Sequence, residues 1–116
     1  MIAALADEGV EAQIRDGLTG VWADDRKIGS IGVHVSYGVT THGFAVNVNN
    51  DLQPFEWIVP CGIDHVEVTS VARETGRSPS LPCFRKRLAY RFSEAFGRRQ
   101  RLVSLDRLLE REAVPA

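Results

Sequence analysis

An α+β fold is what this 116-residue sequence predicts, from three observations. Extended runs lie between residues 19 and 48, and two of them carry apolar side chains at period two, the spacing of a half-buried strand. The short charged turn Asp24-Asp25-Arg26 joins the first two runs as a hairpin. Further on, Phe84, Leu88, Phe92 and Phe96 recur every four residues, which marks an amphipathic helix.

Taken in order, residues 1–8 read as the last turns of a helix, with Gly9 as its C-cap. Residues 10–15 form a short strand ended by Asp16-Gly17. Residues 19–23 and 27–35 are the hairpin strands; in the second, Ile31, Val33 and Val35 share one face and Gly32 and His34 the other. Residues 43–48 make a third strand, with Phe44, Val46 and Val48 alternating against Ala45 and Asn47, and Asn49-Asn50-Asp51 ends it. Pro54, Pro60, Gly62 and Asp64 make residues 52–65 a loop. Residues 66–71 are a short strand or the lead into a turn, and residues 78–82 a linker. A helix then fills residues 83–96 and stops at Gly97, and Ser104 caps a last helix over residues 102–110.

Hydrophobic residues at 44% and charged ones at 25% are ordinary for a globular chain, and the length suits one domain over residues 1–116. A net charge of -1 argues against broad capture of nucleic acid or of an anionic membrane. No apolar run approaches the ~20 residues that span a bilayer, and the N-terminus lacks the cationic start of a signal peptide. The two cysteines stand 22 positions apart, with no CxxC and no His pair at ligand spacing. That pattern suggests neither a zinc site nor a disulfide framework, so no metal or cofactor is expected and reduced thiols fit a cytoplasmic chain.

Lys27, in Arg26-Lys27-Ile28-Gly29-Ser30-Ile31-Gly32, and Cys61, in Val59-Pro60-Cys61-Gly62-Ile63, carry the chemistry. The chain holds only two lysines and two cysteines, against twelve arginines. An ammonium beside a thiol stabilises the thiolate, a route to covalent acyl transfer. Taken alone, each has an ordinary reading: Cys61 as an inert core thiol, Lys27 as a solvated hairpin residue. Cys83, beside Phe84 at a helix start, reads as structural, and His34 and His65 as surface or hairpin residues. The basic runs Arg85-Lys86-Arg87 and Arg98-Arg99-Gln100-Arg101 read as a mostly solvated helix face, with docking of an acidic protein as the alternative.

The segments Gly20-Val21-Trp22, Lys27 to Gly32, Thr41-His42-Gly43-Phe44-Ala45-Val46-Asn47-Val48, Asp51-Leu52, Phe55 and Ile58-Val59-Pro60-Cys61-Gly62 follow one another in a set order. Over about residues 1–76 the chain thereby resembles the lipoyl(octanoyl) transferase family. The resemblance implies a biotin/lipoate ligase-like fold, α+β, with a mixed, mostly antiparallel sheet and flanking helices. It implies transfer of an octanoyl group from octanoyl-acyl carrier protein to a lysine on the lipoyl domain of a 2-oxoacid dehydrogenase or glycine-cleavage protein. Cys61 would be the thioester nucleophile and Lys27 the residue that activates it. Ser30, Ile31, Gly32, Gly43, Phe44 and Ala45 would line the acyl site. His42 has a family counterpart, and either orients the site or packs and hydrogen-bonds in its strand. Chemically, Gly29 and Gly32 let a strand approach a ligand closely, Gly43-Phe44-Ala45 offers backbone for an acyl chain, and the Gly62 amide suits a tetrahedral oxyanion.

The family's Arg-Gly-Gly and Thr-Tyr-His-Gly-Pro-Gly-Gln motifs, which form the opposite wall of its acyl pocket, do not occur in this sequence. The chain therefore reads as the C-terminal half of such an enzyme, a truncated catalytic domain. Two alternatives stand beside octanoyl transfer. One is an inactive fragment that keeps only binding of acyl carrier protein or lipoyl domain; the other is a related lipoyl amidotransferase using the same Cys/Lys chemistry. Missing strands would bare a sheet edge and apolar surface, which predicts poor solubility or self-association.

Overall fold

The computed structural model describes residues 1–58 and 66–112. Helix α1 (Ile2–Asp7) buries Ala4 and Leu5, and Gly9 follows its cap at φ +86, the left-handed backbone that ends a helix most easily on glycine. Four strands then run antiparallel in the order β1 (Gln13–Arg15), β2 (Leu18–Ala23), β3 (Arg26–Ser36), β4 (Val39–Val46). After a 3-10 helix (Gln53–Trp57) the short β5 (Glu67–Val68) joins β3 in parallel, beside Arg26 and Lys27. The sheet is thus mixed and mostly antiparallel, flanked by α1, α2 (Val71–Thr75), α3 (Leu81–Ala95) and α4 (Leu105–Glu112). This is the α+β architecture expected.

Several boundaries depart from the sequence reading. β1 starts at Gln13 rather than residue 10, because Val10 turns inward to the core. β4 begins at Val39, four residues before Gly43, because Tyr37 (φ 50) and Gly38 (φ 75) form a two-residue turn. Two successive left-handed residues match the right-handed twist of the flanking strands, so the β3 to β4 hairpin closes tightly. At its other end the strand stops at Val46, although the Asn47 amide still donates to the Ile28 carbonyl at 3.0 Å.

Residues 66–71 hold β5 and also the start of α2, a helix not foreseen. The Ser70 hydroxyl accepts from the Arg73 amide at 3.1 Å, and Gly76 (φ 68) terminates the helix. The segment taken as a linker ends in helix: Ser80 caps α3, and Leu81 and Pro82 form its first turn, where a missing N–H does no harm. α4 starts after Ser104, whose hydroxyl accepts from the Arg107 amide at 3.4 Å.

The core gathers Ala4 and Leu5 of α1, Val10, Val21 and Ala23 of β2, Ile28 of β3, Val48, Val71 of α2 and Phe84 of α3. Of the Phe84, Leu88, Phe92, Phe96 stripe, only Phe84 is buried. Phe92 and Phe96 instead pack on each other in a tilted pair with ring centroids 4.7 Å apart, and Phe92 stacks on Phe44 of β4 at 6.0 Å. Cys83, expected in a structural role, stands exposed at the start of α3. Arg91 clamps Asp7 with two 2.8 Å bonds and Arg87 reaches Glu8 at 3.2 Å, fixing α3 against α1. Arg87 belongs to the basic run Arg85-Lys86-Arg87 that was expected to be mostly solvated.

The radius of gyration is 16.4 Å, against about 13 Å for a compact domain of this length. Among the described residues, β3 is paired on one side only beyond Gly29, so the β3/β4 hairpin projects from the body. Ile31, Val33, Val35 and Val39 are exposed along it. Among the described residues no helix is long and apolar enough to cross a membrane.

Candidate active site

Lys27 sits in the central strand and is fixed from both sides. Across one edge it pairs with Trp22 of β2; across the other with Val68 of β5, and its carbonyl accepts from the Thr69 amide at 2.9 Å. The register slips between Val21 and Trp22, so β3 carries one extra residue there. Such a bulge re-aims side chains locally and is frequent beside functional sites.

The residue next to it is held more firmly still. The Arg26 guanidinium donates to both Glu74 oxygens, at 2.7 and 3.0 Å, and the Thr69 hydroxyl donates to the same carboxylate at 2.6 Å. Thr69 is fully buried and Glu74 mostly so. The Arg26 guanidinium, then the Thr69 hydroxyl, hold the Glu74 carboxyl below the usual carboxylate range. This network ties the start of β3 to α2. Nothing local in the sequence announces it, because Arg26 and Glu74 lie 48 positions apart.

Cys61 and Gly62, expected as nucleophile and oxyanion donor, lie outside the described residues, as does His65. What the described chain does fix is the strand that follows them. Val68, seven positions after Cys61, is the direct partner of Lys27.

The side chain of Lys27 runs over Gly20 of β2. A Cβ at Gly20 would stand 2.8 Å from Lys27 Cε and 3.6 Å from Nζ, and Gly20 has φ +110. Trp22, which the sequence offered only as part of a motif, is 3% exposed, yet its indole N–H has no partner among the described residues. A buried unsatisfied donor directly across from Lys27 is a polar group available to whatever occupies this site. The Arg15 guanidinium covers its ring at 5.2 Å.

Ser30, Ile31 and Gly32 on one strand meet Ala45, Phe44 and Gly43 on the other, pair by pair, in one unbroken ladder. The six divide between two faces. Ile31 and Phe44 share the face on which Phe92 of α3 stacks. Ser30, Gly32, Gly43 and Ala45 share the other, and a Cβ added at Gly32 or Gly43 would meet nothing within 4 Å. That face is a floor of near-bare backbone. His42, one step along opposite Val33, holds φ 71 within the strand. Left-handed backbone in a non-glycine residue is strained, and such strain gathers at functional sites. Among the described residues no three His, Cys, Asp or Glu side chains stand together as a metal site.

Comparison with known proteins agrees with this architecture. Residues 1–93 match the lipoyl protein ligase A/B catalytic domain. An octanoyltransferase of Dictyoglomus thermophilum is 40% identical over 97 residues, covering 84% of this chain and 42% of the relative. One from Desulfotalea psychrophila is 46% identical over 99 residues, covering 84% and 44% respectively. A mitochondrial octanoyltransferase of Arabidopsis thaliana is 51% identical over 80 residues, covering 68% of this chain and 34% of its own length. The chain spans about two-fifths of the length of the bacterial relatives. With most of its residues matched, this chain belongs to the lipoyl protein ligase A/B catalytic domain family.

Proposed function

We propose that this chain carries the acyl-transfer chemistry of an octanoyltransferase in protein lipoylation, with Cys61 as nucleophile and Lys27 as its activator. The observation that supports it most directly is the common strand. β3 bears Lys27, pairs with β5 just downstream of Cys61, and contributes half of the Ser30-to-Ala45 ladder.

In this reading the octanoyl chain lies along the floor of Ser30, Gly32, Gly43 and Ala45, where two glycines leave room for it. The Cys61 thiolate, favoured by the Lys27 ammonium, attacks the thioester carbonyl of octanoyl-acyl carrier protein. A carbon–sulfur bond forms to Cys61, and the carrier thiolate departs and takes a proton from the Lys27 ammonium, leaving Lys27 neutral. The lysine amine of a lipoyl domain then attacks the new thioester. A carbon–nitrogen bond forms, the Cys61 thiolate leaves, and the proton lost by the amine passes through Lys27. The Gly62 amide supplies a donor to each tetrahedral oxyanion. His42, strained beside Gly43, fixes the backbone at the end of the floor.

Intact mass spectrometry after incubation with octanoyl-acyl carrier protein tests this. A thiol-labile octanoyl adduct is expected on the wild type and absent from Cys61→Ser. A folded wild-type chain that acquires no adduct overturns it. That outcome would favour a fragment that binds carrier or lipoyl domain without turnover, the reading to which the two-fifths coverage of the relatives lends weight.

A further inference from the structure

Charge is distributed unevenly in this molecule. Residues 81–101 hold seven Lys and Arg against Glu94 alone, within a chain of net charge -1. The remaining residues therefore carry fourteen acids against seven cations, from totals of 15 and 14. Two of the seven cations are neutralised: Arg87 by Glu8, and Arg91 by Asp7 and Glu94. Arg85, Lys86, Arg98, Arg99 and Arg101 are exposed and form no ion pair among the described residues.

Of these, Lys86, Arg98 and Arg99 border two concavities that meet at Tyr90, which is half exposed with the Arg91 guanidinium 5.9 Å from its ring. One concavity, about 680 Å³, includes Lys86 and Arg87; the other, about 410 Å³, includes Arg98 and Arg99. From Lys86 to Arg98 the surface runs roughly 18 Å at the rise of a helix, the length of about three turns of a facing helix. Phe92, on the same helix, stacks on Phe44 of the β3/β4 ladder. A partner seated along α3 is thereby held beside the Ile31/Phe44 face of that ladder, whose other face is the proposed acyl floor.

We infer that this basic face of α3 and the segment after it is the docking surface for an acidic protein, the carrier that presents the acyl thioester. The inference rests on the acyl-transfer reading for the identity of that partner. The charge distribution selects a compact acidic protein over an extended polyanion. A nucleic-acid duplex or an anionic bilayer reaches past the patch and meets the acidic remainder of the chain, whereas a small acidic domain matches the patch alone.

Association with unacylated acyl carrier protein, measured at low and high salt, tests the surface. The wild type should bind in a salt-weakened manner. Arg98→Glu/Arg99→Glu/Arg101→Glu should associate roughly tenfold to a hundredfold more slowly at low salt. Acylation of Cys61 by a small octanoyl thioester should be unchanged in that variant, since none of the three contacts the floor. Arg85→Glu/Lys86→Glu provides an independent variant at the other end, should the triple one fail to fold. Wild-type association by the variants overturns the proposal, as does tighter binding of a DNA duplex or of phosphatidylglycerol vesicles than of the carrier. If neither donor acylates Cys61 while carrier binding still depends on the patch, the transfer reading falls and the docking surface stands.

Discussion

Lys27 lies against Gly20: the aliphatic end of the lysine occupies the space that any Cβ at position 20 would need. The same hypothetical Cβ would stand 2.6 Å from the Gly29 carbonyl oxygen, a backbone atom that cannot step aside. Gly20→Ala should therefore strain the φ +110 backbone, part β2 from β3 and displace the lysine. A loss of about 1–3 kcal/mol in urea denaturation is expected. Acylation of Cys61, followed by mass at a temperature where the variant remains folded, should fall well beyond what unfolding explains. A stable, fully active Gly20→Ala would show that Lys27 needs no such seat.

The floor makes a different prediction, because space there is free. A Cβ at Gly32 meets no neighbour within 4 Å, and Gly32→Val adds a β-branched residue to a strand. Stability should hold or rise by up to about 1 kcal/mol. Octanoyl loading should slow roughly tenfold or more, while loading from an acetyl thioester stays near wild type. Equal slowing of both donors would place the acyl chain elsewhere.

Removing the ammonium tests its role directly. Lys27→Met keeps the length and apolar packing of the side chain over Gly20 while losing its charge. At neutral pH, Cys61 acylation should drop about 10²-fold or more. The deficit should shrink as pH rises, because hydroxide then ionises the thiol that the ammonium otherwise favours. A deficit that is constant with pH would assign Lys27 to packing.

Acid should attack this fold at Glu74. Its carboxyl titrates below the ordinary value in the folded chain, through Arg26 first and Thr69 next, so the unfolded chain binds more protons. The stabilisation is complete above the unfolded carboxyl range, near pH 4.3, and is lost as pH falls through the lower folded value. Asp7, held down by Arg91, follows the same sign. Glu74→Gln should lose about 1.5–3 kcal/mol at pH 7 and flatten the stability profile below pH about 5. Denaturant midpoints from pH 3 to 7 supply the comparison. An unchanged acid limb would mean that the Arg26–Glu74 pair contributes nothing there.

Much of this fold was legible wherever one face of an element is buried and the other wet. The β2/β3 hairpin, α1 ending at Gly9 and the helix through Phe84 all follow from that pattern. β4 was read short because Thr40, Thr41 and His42 are exposed on both faces, leaving no alternation to read. Its true start was announced by Tyr37-Gly38, a two-residue turn signal between extended runs. α2 has five residues, too few for a period, and only the Ser70 and Gly76 boundary signals mark it. The residue types of the candidate site were visible, but its geometry was not. Val68 stands beside Lys27 across 41 positions of sequence, and Trp22 and Gly20 acquire their meaning only from the strand that packs on them.

The projecting hairpin leads to the last expectation. Val33 and Val35 are more than half exposed, on the same face as Ile31 of a strand that, among the described residues, lacks a neighbour along one edge beyond Gly29. Unpaired backbone flanked by β-branched side chains invites edge-to-edge pairing. Size-exclusion chromatography with light scattering should find the chain as it stands self-associated at micromolar concentration. Val33→Lys/Val35→Lys should return it to a monomer, because two ammonium groups on an edge repel their copies and solvate the strand. The substitutions lie away from Lys27 and the Ser30-to-Ala45 floor, so Cys61 acylation should survive them. A wild-type chain that elutes as a monomer would mean the bare edge is shielded by its own twist rather than by a second copy.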